Sequence, residues 1–279
     1  MNATTTRAVI SNSPELKARH AQKMFKLLED KVISLVGPAN YMTGAGFGQE
    51  IDESDVVIRL NRGFETCKKH PDDLGTRTDI LYSCLIEKQA NAGKINIQRI
   101  VEDSIKMVCA PPWSDYSGQT YWSPSGDPQN PPYPMKNCFH ELVNPDTLVK
   151  MGDAGIPIRV IPSDINELVR QKILCKPNTG FLSIFDLLSF RPKLLKIYGF
   201  SFYLDGFISG EKLGIEEEQN CSEDEFADKA FSSKRHIQEN MWSISKQVLL
   251  NFPQVQLDPQ LTKILNMETF SKEVYRDLK

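Results

Sequence analysis

The chain has 279 residues, with 33 Lys and Arg against 36 Asp and Glu and a formal net charge of −3. Apolar residues make up 40% and charged residues 25%, the balance of a water-soluble globular protein. That size suits one large α/β domain or two small ones, and the charge argues against a basic nucleic-acid surface or a polybasic membrane patch.

Residues 1–30 read as a polar arm and then a helix, with Leu16, Ala21, Met24, Phe25, Leu27 and Leu28 at an approximate 3.6-residue period. VISLVG at 32–37 is a short, β-branched apolar run, the pattern of a buried parallel strand. A Gly-rich turn follows, GPAN and then TGAGFGQEI, leading into a helix. Further strands are expected at 55–61, 79–85 and 105–111. Residues 111–134, rich in Pro, Trp and Tyr, read as a long irregular loop, and loops of that length inside a domain are usually functional or disordered. Residues 141–174 read as helix, strand and helix, 179–190 as an apolar helix, 194–200 as a strand, 210–235 as a charged, solvated loop, and 236–252 as an amphipathic helix. Strands alternating with helices predict a mostly parallel, doubly wound α/β sheet. Ligands bind outside the carboxyl ends of such strands, so the loops after residues 37 and 61 and before Thr179 are expected to face the site.

Four readings come from the residues themselves. Gly37, Gly44, Gly46 and Gly48 would let the backbone approach a ligand and aim N–H groups at a phosphate, or would simply make a tight strand–helix turn. Their spacing is neither the dinucleotide G-x-G-x-x-G nor a P-loop. Asp72 and Asp73, like Asp224 and Glu225, sit in polar contexts and read as solvated loop charge, so no metal site is expected from them. The six cysteines form no C-x-x-C pair, which disfavours a zinc site and suits free thiols in a reducing compartment.

The segment at 31–63, continued by DDLGTRTD at 72–79, resembles the long signature motif of eukaryotic-type sialyltransferases: strand, Gly-rich turn, E-I-D-x-x-D, a strand ending R-x-N, then G-x-R-T. The matching positions are Glu50, Ile51, Asp52, Asp55, Arg59, Asn61, Gly75, Arg77 and Thr78. KPNTGFLSIFDLLSFRPKLLKIYGF, at 176–200, is similar to the family's short motif of small polar pair, Gly, apolar helix and a strand ending Y-G-F. The resemblance implies a single Rossmann-like α/β domain, residues 31–279 here. It implies transfer of sialic acid, or a related acid sugar such as Kdo, from a CMP donor to a glycan or glycolipid hydroxyl, with inversion and with no metal or cofactor. It places Asn61 on the donor nucleotide, with a strand-end turn residue as the alternative, and Asn178, Thr179 and Gly180 on the cytidine or the sugar carboxylate. The family's first donor Asn falls on Pro38, with Asn40 as its replacement, and Tyr203 would bond a phosphate oxygen or pack as a core aromatic.

His236, at the start of a helix after the second motif, stands where the family places its catalytic base, and an imidazole titrates in the range that proton abstraction needs. The family's acidic residue five positions on is Met241 here, with Glu239 the nearest acid. His140 is the rival base or an acceptor contact, and Trp113 and Trp122 form the expected acceptor platform. The positions of the family's bridging cysteines are Ile33 and Pro192, which with the polar N-terminus leads to an expected cytoplasmic location, or the Golgi lumen if an anchor has been removed. A non-catalytic CMP-binding module and another nucleotide-dependent enzyme of the same fold are the competing readings.

Overall fold

The computed structural model describes residues 14–86, 94–112, 145–208, 228, 230–233 and 236–278. The chain opens with α1 (Pro14–Leu28), β1 (Val32–Val36), α2 (Gly48–Asp52), β2 (Val56–Leu60), α3 (Gly63–Thr66), α4 (Pro71–Leu74) and β3 (Ile80–Tyr82). It continues with α5 (Ile97–Glu102), β4 (Met107–Ala110), α6 (Pro145–Asp153), β5 (Ile158–Val160), α7 (Ser163–Ile173), α8 (Thr179–Leu188) and β6 (Leu194–Tyr198). It closes with α9 (Gln238–Leu249), β7 (Val255–Leu257), α10 (Pro259–Leu265) and α11 (Lys272–Arg276).

Among the described residues, seven strands pair in parallel, in the order β5-β4-β3-β2-β1-β6-β7. The chain winds outward from β1 to β5, returns to the other side of β1 for β6, and ends at β7. The direction therefore reverses between β1 and β6, and the crevice for a ligand in such a sheet lies at the carboxyl ends of those two strands. The central strands are apolar on both faces because helices cover both, and every residue of β2 is buried. α1 adds Met24 and Leu28 to the main core, and α8 adds Phe181, Leu182, Ile184 and Leu187. Each such side chain contributes roughly 1.5–3 kcal/mol on burial.

Three expectations change. The strand expected over 79–85 spans only Ile80–Tyr82, and Leu85 turns to a φ of 55°. β7, α10 and α11 were not expected; β7 is a three-residue edge strand with Gln256 exposed, so it carries no apolar run to read. Within the stretch expected to be a solvated loop over 210–235, Phe231 stacks on Phe270 with centroids 5.5 Å apart. The loop at 111–134 falls outside the described residues from Trp113 onward. Among the described residues no helix is long and apolar enough to cross a membrane, and the four described cysteines, Cys67, Cys84, Cys109 and Cys175, are buried.

At the crevice the β1 and β6 loops meet backbone to backbone. Gly37 N–H donates to Tyr198 O at 2.7 Å, and Ala39 N–H to Gly199 O at 3.0 Å. Gly199 has a φ of 73°, and a Cβ there would lie 2.4 Å from Gly37 O. Gly199→Ala is expected to cost about 1–3 kcal/mol from the left-handed backbone alone, with the clash added. A denaturant midpoint equal to the wild type would contradict that contact.

Candidate functional site

The carboxyl edge of the sheet gathers most of the residues expected there. α8 feeds directly into β6 and so runs antiparallel to the strands, which brings its N-terminus to the carboxyl edge. Its close packing confirms this: a Cβ on Gly180 would sit 2.9 Å from Leu60 Cδ1, at the end of β2, and 3.0 Å from Phe200 Cε1, just past β6. Asn178 caps α8, its Oδ1 accepting from Phe181 N–H at 2.8 Å. Part of its hydrogen-bonding capacity is therefore committed to the fold, while its amide N–H groups and the first-turn amides of Thr179 and Gly180 belong to the helix end that favours anions.

Asn61 closes β2 with a φ of 43°, its N–H donating to Tyr82 O at 2.7 Å and its Oδ1 accepting from Cys84 N–H at 3.3 Å. It thus acts as the strand-end turn residue and still stands at the carboxyl edge. Asn40 is exposed at the start of the 3₁₀ turn Asn40–Met42, with its N–H on Gly206 O at 2.9 Å. Tyr203 is half-buried, φ 58°, with its ring 5.5 Å from that of Phe207.

His236 comes to the same edge from the far side. Its Nδ1 lies 2.7 Å from Lys176 O, two residues before the Asn178 cap. A carbonyl only accepts, so Nδ1 carries the proton, and in the neutral ring Nε2 is the basic nitrogen. The backbone around it is tied to the end of α7 by Asn240 Nδ2, which donates to Ile173 O at 2.8 Å, and braced locally by Gln238 Nε2, which donates to His236 O at 2.7 Å. Met241, at the position of the family's acidic residue, is fully buried in the core, and a peptide carbonyl holds the ring. Trp113, Trp122 and His140 lie outside the described residues.

Of the two readings of the Gly-rich turn, the structure favours the tight strand–helix turn. Three of its four glycine amides are taken by protein: Gly44 N–H and Gly46 N–H both donate to the Asp73 carboxylate, each at 2.9 Å, and Gly37 N–H is on Tyr198 O. Asp73 is accordingly not solvated loop charge; it occupies the place an anion would take. Gly48 is needed for packing, since a Cβ there would lie 2.0 Å from Pro71 O.

The charged signature residues also work within the fold. Asp52 accepts from Thr76 N–H at 2.7 Å and Arg77 N–H at 3.0 Å. Arg59, buried in β2, donates from Nη2 to Leu74 O at 2.6 Å and from Nε to Arg77 O at 2.9 Å. Asp55 accepts Val32 N–H at 2.8 Å. Glu50 is held below the usual carboxylate range: burial opposes the shift, but hydrogen bonds from Tyr198 and Lys196, at 2.7 and 3.0 Å, outweigh it. Together they brace β2 and the α2–α4 layer, and so fix where β1 and β2 end.

One cluster at the edge was missed. Asp258, at the carboxyl end of β7, caps α10 and also reaches Tyr41 and Gly199. Its sequence signal was available, an Asp-Pro pair that marks a helix start. Among the described residues no group of three or more His, Cys, Asp or Glu is arranged to hold a metal.

The model of glycosyltransferase family 29 (sialyltransferase) matches residues 1–116 of the chain. No curated protein matches its sequence. The solved structures similar to it include a mammalian sialyltransferase in complex with Gal-beta-1-3GalNAc-ortho-nitrophenol, 13% identical over 92% of this chain and 86% of that one with a TM-score of 0.43, and a mammalian sialyltransferase, 12% identical over 92% and 85% with a TM-score of 0.45.

Proposed function

We propose that this chain, a sialyltransferase-type glycosyltransferase by its family 29 match over residues 1–116, moves sialic acid or a related acid sugar such as Kdo from a CMP donor to a hydroxyl of a glycan or glycolipid, with inversion and without a metal. The observation that supports this reading is the hydrogen bond of His236 Nδ1 to Lys176 O, two residues before the Asn178 cap of α8, which leaves Nε2 as the ring's proton-accepting nitrogen.

In this reading the first turn of α8 and Asn61 receive the cytidine monophosphate and the sugar carboxylate. The acceptor hydroxyl oxygen attacks the anomeric carbon from the face opposite the phosphate, its proton passes to His236 Nε2, and the C–O bond to phosphate breaks with its electron pair leaving on CMP. Inversion follows from a single displacement. The anomeric carbon passes through an oxocarbenium-like state, so the enzyme's task is orientation, a few phosphate donors and one base. A single phosphate brings less charge to neutralise than a diphosphate, and the sequence has no apolar-flanked D-x-D for a metal.

CMP release from CMP-Neu5Ac or CMP-Kdo is therefore expected to continue in EDTA. A strict requirement for added Mn²⁺ or Mg²⁺ would remove the metal-free part of the proposal. CMP at about 100 times its Kd should stabilise the fold by about 2.7 kcal/mol, seen as a thermal shift that NAD and S-adenosylmethionine do not give.

A further inference from the structure

A single buried carboxylate joins three distant parts of the chain at the crevice between β1 and β6. Asp258 is 3% exposed. Its Oδ2 accepts the Tyr41 hydroxyl at 2.8 Å and Gly199 N–H at 3.0 Å, and its Oδ1 accepts Leu261 N–H at 2.7 Å. Tyr41 Oη in turn accepts Phe200 N–H at 2.9 Å. Tyr41 lies in the turn after β1, and Gly199 and Phe200 open the loop after β6. Asn40 sits next to Tyr41 in the first loop, and Tyr203 rides on the second. The two loops are further joined by Asn40 N–H on Gly206 O and by the antiparallel bridge between Ala39 and Phe207.

We propose that Asp258 and Tyr41 form a clasp that holds the β1 and β6 loops at the spacing the nucleotide donor needs, which makes Asp258 a positioning residue for donor binding. The inference rests on the reading above that this edge takes a CMP donor. An N-cap alone calls for one acceptor oxygen, and Asp258 supplies that with Oδ1. The second oxygen is spent wholly on the loops.

The energetics point the same way. Burial, the largest influence, pushes the Asp258 carboxyl above its ordinary value despite the donors around it. A carboxyl raised in the folded state favours folding when protonated, and that contribution is lost as pH rises through the folded value. At neutral pH the charged form is therefore a burden on the fold, and a neutral isostere would carry less of it. Tyr275 stands in the same cluster, its phenol raised first by burial, then by Asp205, with a smaller influence from Asp258.

The test is Asp258→Asn, beside Tyr41→Phe and the wild type. Asn keeps an oxygen for the α10 cap and loses the acceptor for Gly199 N–H and the Tyr41 hydroxyl. Hydrogen exchange on the ligand-free protein should show the amides of Gly199 and Phe200 opening about tenfold faster in Asp258→Asn, a difference of about 1.4 kcal/mol in opening. Amides of β1, β2 and α9 should stay unchanged and the thermal midpoint should not fall. Calorimetry with CMP should show roughly tenfold weaker binding, which a role confined to the helix cap would not produce. Tyr41→Phe should reproduce the faster exchange at Phe200 and the weaker CMP binding, and it serves alone if Asp258→Asn fails to fold. Unchanged exchange at Gly199 and Phe200 would overturn the clasp, as would a general loss of protection with a lowered midpoint. A wild type that does not bind CMP would instead overturn the donor reading, with the exchange comparison still deciding the clasp.

Discussion

His236→Ala is expected to lower the turnover of sugar transfer by about 10²–10⁴-fold, the usual worth of a positioned general base, while CMP affinity stays within about twofold of the wild type because the base contributes to the transition state rather than to nucleotide binding. The substitution removes the Nδ1 bond to Lys176 O and the basic Nε2 together. It should not move the backbone that bears them. Asn240 still holds Ile173 O at 2.8 Å, Gln238 still holds the carbonyl of residue 236 at 2.7 Å, and Cys175 Sγ still reaches Ile237 O at 3.9 Å. The loss of the Nδ1 hydrogen bond at this half-buried ring should cost only about 0.5–1.5 kcal/mol of stability. The measurement is a pair: steady-state transfer with CMP-Neu5Ac, and CMP binding by calorimetry. Full transfer activity in His236→Ala, with an inactive His140→Ala, would move the base role to His140. Loss of CMP binding in His236→Ala would show that the ring holds the donor and leave the base elsewhere.

The contrast between what the sequence disclosed and what it hid follows from the range of the interactions. β1, β2 and α8 were legible because a doubly covered strand and a buried helix leave continuous apolar runs, as in VISLV and TGFLSIFDLL. The carboxyl-edge position of Asn61 and residues 178–180 followed from topology alone. The roles of the signature's charged residues did not follow, because each is decided by a partner elsewhere in the chain. Asp73 fills with a carboxylate the turn whose glycines could also have met a phosphate. Asp258 gains its meaning from Tyr41, 217 residues away, and β7 before it alternates in exposure over only three residues, too short to register as a period. His236 was placed by resemblance, and the pattern-breaking Met241 hid that a carbonyl on another segment orients the ring.

Asp186→Ala should destabilise the fold by about 3–5 kcal/mol, the range for leaving one member of a buried ion pair without its partner. Asp186 stands alone as a charged residue in the apolar helix α8, a placement that already requires a partner. It finds two. Arg159 on β5 grips it through Nη1 and Nη2, at 2.6 and 2.8 Å, and the Tyr82 hydroxyl at the end of β3 donates at 2.6 Å. Both members of the ion pair are sealed from water, with side-chain exposures of 5% for Arg159 and 0% for Asp186. The nearby Cys109 thiol, pushed up to about 12 chiefly by burial, stays neutral and supplies no replacement anion. Ala at 186 thus strands the Arg159 charge and the Tyr82 hydroxyl together, and urea unfolding should show the loss directly. Replacing the pair with apolar residues, Arg159→Met with Asp186→Leu, should recover most of it, since two hydrophobic side chains remove both desolvation costs at once. The pair also sets α8 in place. Asp186 lies six residues below Gly180, about 9 Å along the helix at ~1.5 Å per residue, so its grip fixes the rotation with which residues 178–180 reach the crevice. The recovered double variant should therefore regain stability more completely than CMP affinity. If the two return in equal measure, the ion pair holds the fold alone and packing suffices to aim the helix.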